Sequence, residues 1–338
     1  MQTADFFYDL PEASIAQSAV EPRDAARLLV ADGLADRRFR DLPGLLRPGD
    51  LVVVNRTRVR RARLLGRRAG TGGRVEALLL RPGGEGCWEA LVRPARRLRP
   101  GEVLHFGEIS ATVVENAGNG EARLALDTGG LPLEEALARW GEVPLPPYFK
   151  GHLDDPERYQ TVYAAAAGSA AAPTAGLHFT PQVLAGLAER GVAVAALDLD
   201  IGVDTFRPIS ADTLEGHRMH REDFRVPEET AAAVAAARHR GGRVVAVGTT
   251  VVRALESAAS ATGELRPGEG STELFITPGY PFRVVDSLVT NFHVPGSTLV
   301  VLVAAFMGDR WREAYGAALV RGYRFLSFGD AMLAARAG

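Results

Sequence analysis

The sequence predicts an α/β domain interrupted by a small antiparallel β domain. Three observations carry this reading. Strand-length apolar runs alternate with helical stretches through the second half of the chain, the pattern of a largely parallel sheet. Between about residues 58 and 145, short strand-like runs follow one another closely, parted by Gly, Pro and Asn, as in a small barrel or sandwich. The chain has 338 residues, enough for one large or two ordinary domains.

In chain order, residues 23–46 read as helical or mixed and stop at the turn signal Pro48-Gly49-Asp50. Leu51 to Val54 is an unbroken apolar run, hence a buried strand. Five runs then fit the β domain: Val75 to Leu80, Cys87 to Val92, Val103 to Phe106, Ala111 to Glu115 and Arg123 to Asp127. Pro144-Leu145-Pro146-Pro147 closes that region. Beyond it the spacing predicts a helix over Gln182 to Arg190 and a strand over Val192 to Ile201. Pro227-Glu228-Glu229 opens an Ala-rich helix to His239, as Pro and acids at a first turn should, and Gly241-Gly242 stops it. Arg243 to Val247 reads as a strand, Val251 to Ala259 and Trp311 to Arg321 as helices. Leu274 to Ile276 and Leu299 to Ala305 are further apolar elements. The domains are therefore drawn at 1–57 with 146–338, and at 58–145.

Composition is that of a globular protein, 46% apolar and 24% charged, with a net charge of −2. That charge is unevenly spread. From Arg56 to Arg99 there are 13 Arg against three acids, a local charge of +10. Such a block in a near-neutral chain points to an anionic partner. Cys87 is the only cysteine, so no internal disulfide forms. The first residues carry acids and no basic leader, and Leu299 to Met307 is too short to span a bilayer. A cytoplasmic protein with no membrane association is expected.

Four segments have residue types suited to chemistry. From Val244 to Ser257 a buried strand meets a helix through Gly248-Thr249-Thr250. Ligands bind at the carboxyl ends of strands in α/β proteins, and free N–H groups of the next helix favour an anion. A plain strand–helix turn with Thr as cap fits the same residues. Within Ala172 to Thr180, His178 is wedged among apolar side chains after a Pro-Thr-Ala-Gly loop, as a ligand or as a hydrogen-bonded core residue. His217 and His220 stand three apart with Glu222 beyond, but no third metal ligand is evident, so the pair is read as facing a substrate. In Asp286 to Thr298, Asn, His, Ser and Thr interrupt an apolar stretch, and buried polar groups must be paired. The last segment, Tyr323 to Met332, reads as core packing.

Taken together, Pro173 to Thr180, Gly248 to Ser257, Thr290 to Thr298 and Tyr323 to Met332 resemble the S-adenosylmethionine:tRNA ribosyltransferase-isomerase family of queuosine synthesis. So do Phe7 to Pro11, Glu21 to Asp24 and Tyr159 to Tyr163, and the likeness runs in order along nearly the whole chain. The resemblance implies an open α/β barrel with an inserted small antiparallel β-barrel. It implies S-adenosylmethionine as co-substrate, no metal, and tRNA with a GUN-type anticodon as partner; no obligate protein partner is inferred. It further implies transfer of the ribosyl portion of S-adenosylmethionine to 7-aminomethyl-7-deazaguanine at the wobble position, giving epoxyqueuosine, adenine and methionine.

Site roles follow as expectations from the resemblance and from the reaction's needs. The sulfonium acidifies the C5′ protons, and departing adenine needs a donor. His178 and His293 are first in line for this work, with His220 third. Thr249, Thr250 and Arg253 would hold the methionine carboxylate or a phosphate, and Thr174, Gly176, Gly248, Asp200 and Asn291 would line the substrate. Arg58, Arg60, Arg61, Arg96 and Arg97 would track the RNA backbone, with Tyr148, Phe149 and Phe206 as stacking surfaces. Asp200 stands where the family usually has His, and Asp204 where it usually has Gly. Added carboxylates in a dry pocket change its charge enough to redirect an acceptor. The alternatives are therefore a relative acting on a non-tRNA acceptor and a non-catalytic tRNA-binding relative.

Overall fold

Leu51, Val52, Val53 and Val54 are all buried because their strand is covered on both faces. Leu51 and Val53 enter one apolar cluster, with Ala246, Val252, Val301 and Phe306; Val52 and Val54 enter another, with Phe179, Val183, Val245 and Val247. Burial on both faces is what an unbroken Val run predicts for a parallel strand. The computed structural model describes residues 1–96, 98–118, 120–151, 153, 155–165, 167–202, 208–219 and 221–337.

The chain divides into two compact units, residues 1–58 with 146–338, and residues 59–145. Among the described residues the first unit has an open nine-stranded sheet. Its order is Gly268–Thr272, Glu222–Val226, Ala193–Leu199, Leu51–Asn55, Val244–Val247, Ser287–Asn291, Ala331–Ala335, Arg27–Val30 and Ala35–Arg38. The sheet is mixed rather than largely parallel. Ala193–Leu199, Leu51–Asn55, Val244–Val247 and Ser287–Asn291 run parallel. Ala331–Ala335 lies antiparallel to Ser287–Asn291, and Glu222–Val226 antiparallel to both its neighbours. One crossover helix returns a chain to the start of the sheet; two in succession return it to the other end. Thr298–Met307 and Arg310–Val320 are such a pair, and they precede the reversed strand. The apolar residues Leu274 to Ile276 form no strand or helix.

The second unit is the small barrel. Arg63–Arg68, Arg74–Pro82, Cys87–Arg93, Glu121–Asp127, Ile109–Asn116 and Val103–Phe106 follow in antiparallel order, and the last pairs back on the first. Alternate residues, among them Leu64, Val75, Leu79, Val92, Leu104, Ile109, Val113 and Leu124, fill its interior. Closure removes the free edges that an open sheet of this size would expose. Among the described residues no helix is long and apolar enough to cross a membrane.

Candidate active site

A cleft opens in the first unit at the carboxyl ends of the strands Val244–Val247 and Ser287–Asn291. Gly248 makes the first wall. Its φ of 93° lies where side-chain-bearing residues are strained, and the backbone turns there directly into the helix Thr249–Ala258. Thr249 and Thr250 are buried, and both line the cleft at the first turn, where backbone N–H groups lack helical partners. The helix Thr298–Met307 also begins at the cleft, with the Ser297 side chain accepting from the Val300 N–H at 3.4 Å. Two helix N-termini thus bring partial positive charge to a site lined by apolar and hydroxyl groups.

A hydrogen-bonded network forms a further part of the lining. Thr174 Oγ1 donates to Asn291 Oδ1 at 2.9 Å, and Asn291 Nδ2 donates to the Asp330 carbonyl at 3.3 Å. Asp330 in turn accepts from the backbone N–H groups of Arg27 and Arg324. The network ties the loop before Thr174–His178, the end of a central strand and the C-terminal segment into one surface. Tyr148 and Ser327 add a hydroxyl pair at 2.5 Å on the cleft wall.

His293 brings the one imidazole among the described residues of this lining. Its Nε2 is 2.8 Å from Thr290 Oγ1, and Nδ1 has no partner among the described residues. Its backbone is pinned twice: Tyr8 Oη donates to its carbonyl, and its N–H donates to Tyr315 Oη at 3.2 Å. Burial pushes the imidazole down to about 3, so the ring is neutral at physiological pH.

His178 has a different environment. It does not line the cleft. Nδ1 lies 3.1 Å from the Ala175 carbonyl oxygen and Nε2 2.9 Å from that of Gly329. Its ring stacks on Phe39 with centroids 5.0 Å apart. Carbonyl oxygens only accept, and a neutral ring carries one N–H, so His178 donates to one of the two while its other nitrogen faces the second carbonyl; neither nitrogen lines the cleft. Burial lowers its pKa, against the two carbonyls, which favour the charged ring. The structure places His178, expected to do acid–base work, beside a separate small cavity with Arg158, Arg324 and Ser327.

Of the residues singled out in the sequence, Thr174, Gly248, Thr249, Thr250, Asn291 and His293 meet in the cleft. Others do not. Arg253, one turn after Thr250, is buried in an ion pair with Glu222, and its Nε donates to the Leu274 carbonyl at 3.0 Å. Its Nη2 is buried without a partner among the described residues, and the residue does not line the cleft. Gly176 serves packing: a Cβ there would fall 2.2 Å from Tyr163 Oη. Asp200 is exposed in a separate depression with Asp198 and Asp223, so its charge does not enter the cleft. His220, Arg97, Asp204 and Phe206 lie outside the described residues. Phe149 packs on Phe328 at 4.9 Å. The sequence reading missed Thr290, Ser297 and Ser327 as wall residues. Thr290, three before His293 in a polar cluster, was findable; Ser327 was hidden by its aromatic neighbours, which read as core.

Among the expected RNA-binding arginines, Arg58 is paired with Glu157 and Arg60 with Glu134, while Arg61 donates to the Ala138 carbonyl at 3.1 Å. Arg96 is exposed. The +10 window is largely balanced by acids later in the chain. Residues 59–145 as a whole hold 13 Arg against 11 Asp and Glu.

Known proteins resemble this chain in both sequence and structure. The family model described as "Queuosine biosynthesis protein" matches residues 3–334. A protein named S-adenosylmethionine:tRNA ribosyltransferase-isomerase from Anaeromyxobacter dehalogenans is 55% identical over 346 residues, covering 99% of this chain and 100% of the relative. One of the same name from a Methylobacterium species is 53% identical, covering 98% of each. The crystal structure of S-adenosylmethionine tRNA ribosyltransferase from Thermotoga maritima is similar with a TM-score of 0.55 at 37% identity, covering 97% of this chain and 99% of that one.

Proposed function

Since this chain belongs to the S-adenosylmethionine:tRNA ribosyltransferase-isomerase family, a family of transferases in queuosine biosynthesis, we propose that it transfers the ribosyl group of S-adenosylmethionine to 7-aminomethyl-7-deazaguanine at the wobble position of GUN-type tRNA. The product is epoxyqueuosine in tRNA; adenine and methionine leave.

The observation that carries this reading is the convergence of four family segments on one cleft. Thr174, Thr249 with Thr250, Asn291 with His293, and Ser327 come from different stretches of the chain and line the same space. Each has a task in the reaction. The N–H groups and hydroxyls of Thr249 and Thr250 receive the methionine carboxylate at the helix N-terminus. Thr174 and Asn291, locked to one another, present fixed polar groups to the ribose. His293, neutral and oriented by Thr290, donates from Nδ1 to the adenine ring as the glycosidic bond breaks, with Thr290 Oγ1 donating to Nε2. A neutral donor suits this task because it steadies the charge developing on adenine without repelling the sulfonium. The cleft's placement at strand ends agrees with where α/β proteins hold ligands.

The test is direct. Incubation with S-adenosylmethionine and precursor-bearing tRNA, followed by nucleoside digestion and mass spectrometry, gives epoxyqueuosine with equimolar adenine and methionine. Release of adenine and methionine without tRNA, or no product despite S-adenosylmethionine binding, overturns the reading.

A further inference from the structure

The 12 described arginines of residues 59–145 fall into two groups. Six sit against carboxylates: Arg60 with Glu134, Arg63 with Glu76 and Glu142, Arg68 with Glu102, Arg81 with Glu89, Arg123 with Glu85 and Glu115, Arg139 with Glu135. Arg61 is held by a backbone carbonyl. The other five, Arg67, Arg74, Arg93, Arg96 and Arg99, are exposed and their guanidinium groups make no ion pair among the described residues; Arg67 donates to the Gly72 carbonyl at 3.0 Å, and the backbone N–H of Arg99 donates to Glu102 at 3.2 Å.

Strand register gathers these five at one end of the barrel. Arg67 and Arg74 are direct cross-strand partners at the hairpin joining Arg63–Arg68 to Arg74–Pro82. Arg93 ends the next strand, opposite Glu76 and two residues from Arg74's position. Residues 94–96 and 98–102, with Arg96 and Arg99, lie between there and Val103–Phe106, whose His105 and Leu104 pair with Arg67 and Arg68. The loop therefore crosses the same end. Carboxylates near it are occupied: Glu76 by Arg63, Glu102 by Arg68, Glu115 by Arg123, and Glu121 also has a partner. The acids of the hairpin at residues 83–86, of the turn at Glu108 and of the helix Leu133–Trp140 all belong to the opposite end.

Like charges facing each other across a ladder oppose folding. Arg67 and Arg74 face each other with no acid between them, so the fold tolerates a repulsion that an outside anion would relieve. Adjacent strands lie about 4.8 Å apart, which spreads Arg67, Arg74 and Arg93 over about 10 Å of surface. A guanidinium fork matches phosphate bidentately, and a row of them follows a polyanion along its backbone. Leu65, 45% exposed and on the same strand face as Arg67, offers apolar contact beside the row.

We propose that this end of the barrel, through Arg67, Arg74, Arg93, Arg96 and Arg99, grips the phosphate backbone of the tRNA. The inference rests on the tRNA-modifying reading above and replaces Arg58, Arg60 and Arg61 as the contact set. The surface supplies affinity, not base reading.

The test measures binding of an unmodified tRNA transcript to the full chain between ~50 and ~200 mM salt. The variant Arg67→Gln/Arg74→Gln/Arg93→Gln weakens binding by roughly 10- to 100-fold and reduces the slope of log K against log salt by about 2 to 3. Calorimetry with S-adenosylmethionine alone is unchanged, which shows that the variant is folded. The comparison variant Arg81→Gln/Arg139→Gln, at ion-paired positions of the other end, keeps the wild-type slope. A wild-type slope in the triple variant, or an equal loss in the comparison variant, overturns the assignment of the surface. Failure of the wild-type chain to bind tRNA at all overturns the tRNA reading together with it.

Discussion

The neighbourhoods of His178 and His293 differ in one decisive respect. Both rings are buried, both lie in segments shared with the family, and burial lowers both pKa values. Around His178 a backbone carbonyl faces each nitrogen, the neutral ring donating to one of them, and Phe39 covers a face. Around His293 one hydroxyl takes Nε2, and Nδ1 is left for the cleft. Motif membership and burial therefore do not separate a reacting residue from a fastening one. In the reading proposed above, hydrogen-bond accounting separates them: His293 Nδ1 has no partner among the described residues, whereas both His178 nitrogens face backbone carbonyls.

The largest effect that sharpens this comparison is expected at His293. His293→Ala should lower kcat by about 10²- to 10⁴-fold, the usual worth of a positioned proton donor. Its Kd for S-adenosylmethionine should change much less. A kcat within a few fold of wild type in a steady-state product assay would show that the open nitrogen has no part in the chemistry.

His178→Leu should act on the fold instead. It strips one backbone carbonyl, that of Ala175 or of Gly329, of its donor in a dry setting, costing about 1–3 kcal/mol. Urea unfolding should record that loss, while kcat per folded molecule stays within about 10-fold. A catalytic defect as large as that of His293→Ala, without loss of stability, would reverse the two roles.

Acid should separate them next. His293 has an ordinary pKa near 6.5 when unfolded and about 3 when folded, so the unfolded chain binds the extra proton between these values. Stability present above pH 6.5 is lost as pH falls through that window, at up to about 1.4 kcal/mol per unit. From pH 6.5 to 5 the wild-type protein should lose about 2 kcal/mol more than His293→Gln does. Equal losses in the two proteins would mean that His293 is not held neutral. The smallest effect is at the helix start: Thr250→Val should raise the Kd for S-adenosylmethionine by about 3- to 10-fold, the net worth of one hydrogen bond. Unchanged calorimetry would remove Thr250 from the ligand contacts.

Local patterns made much of the architecture readable. The Val run 51–54, the Pro-Glu-Glu helix start and the Gly-Thr-Thr turn each specify their element within a few residues. What the sequence hid was set at long range. His178 is fastened by Gly329, 151 positions away, and no local pattern announces that carbonyl. Arg253 is neutralised by Glu222 on a neighbouring strand, so its fitness as an anion clamp could not be judged from its place in the helix. The Arg-rich stretch looked uniformly free because its acids come later, at Glu102, Glu134 and Glu142. Strand direction failed for a related reason: hydrophobic period reveals a strand but not which end of the sheet it enters from.

The central claim is that His293, not His178, meets the ligand. Side-chain ¹⁵N NMR of histidine-labelled protein, with and without S-adenosylmethionine, reads this at the atoms concerned. The account predicts that the His293 Nδ1 resonance moves on ligand addition while both His178 resonances hold still. Movement at His178 with none at His293 would contradict it.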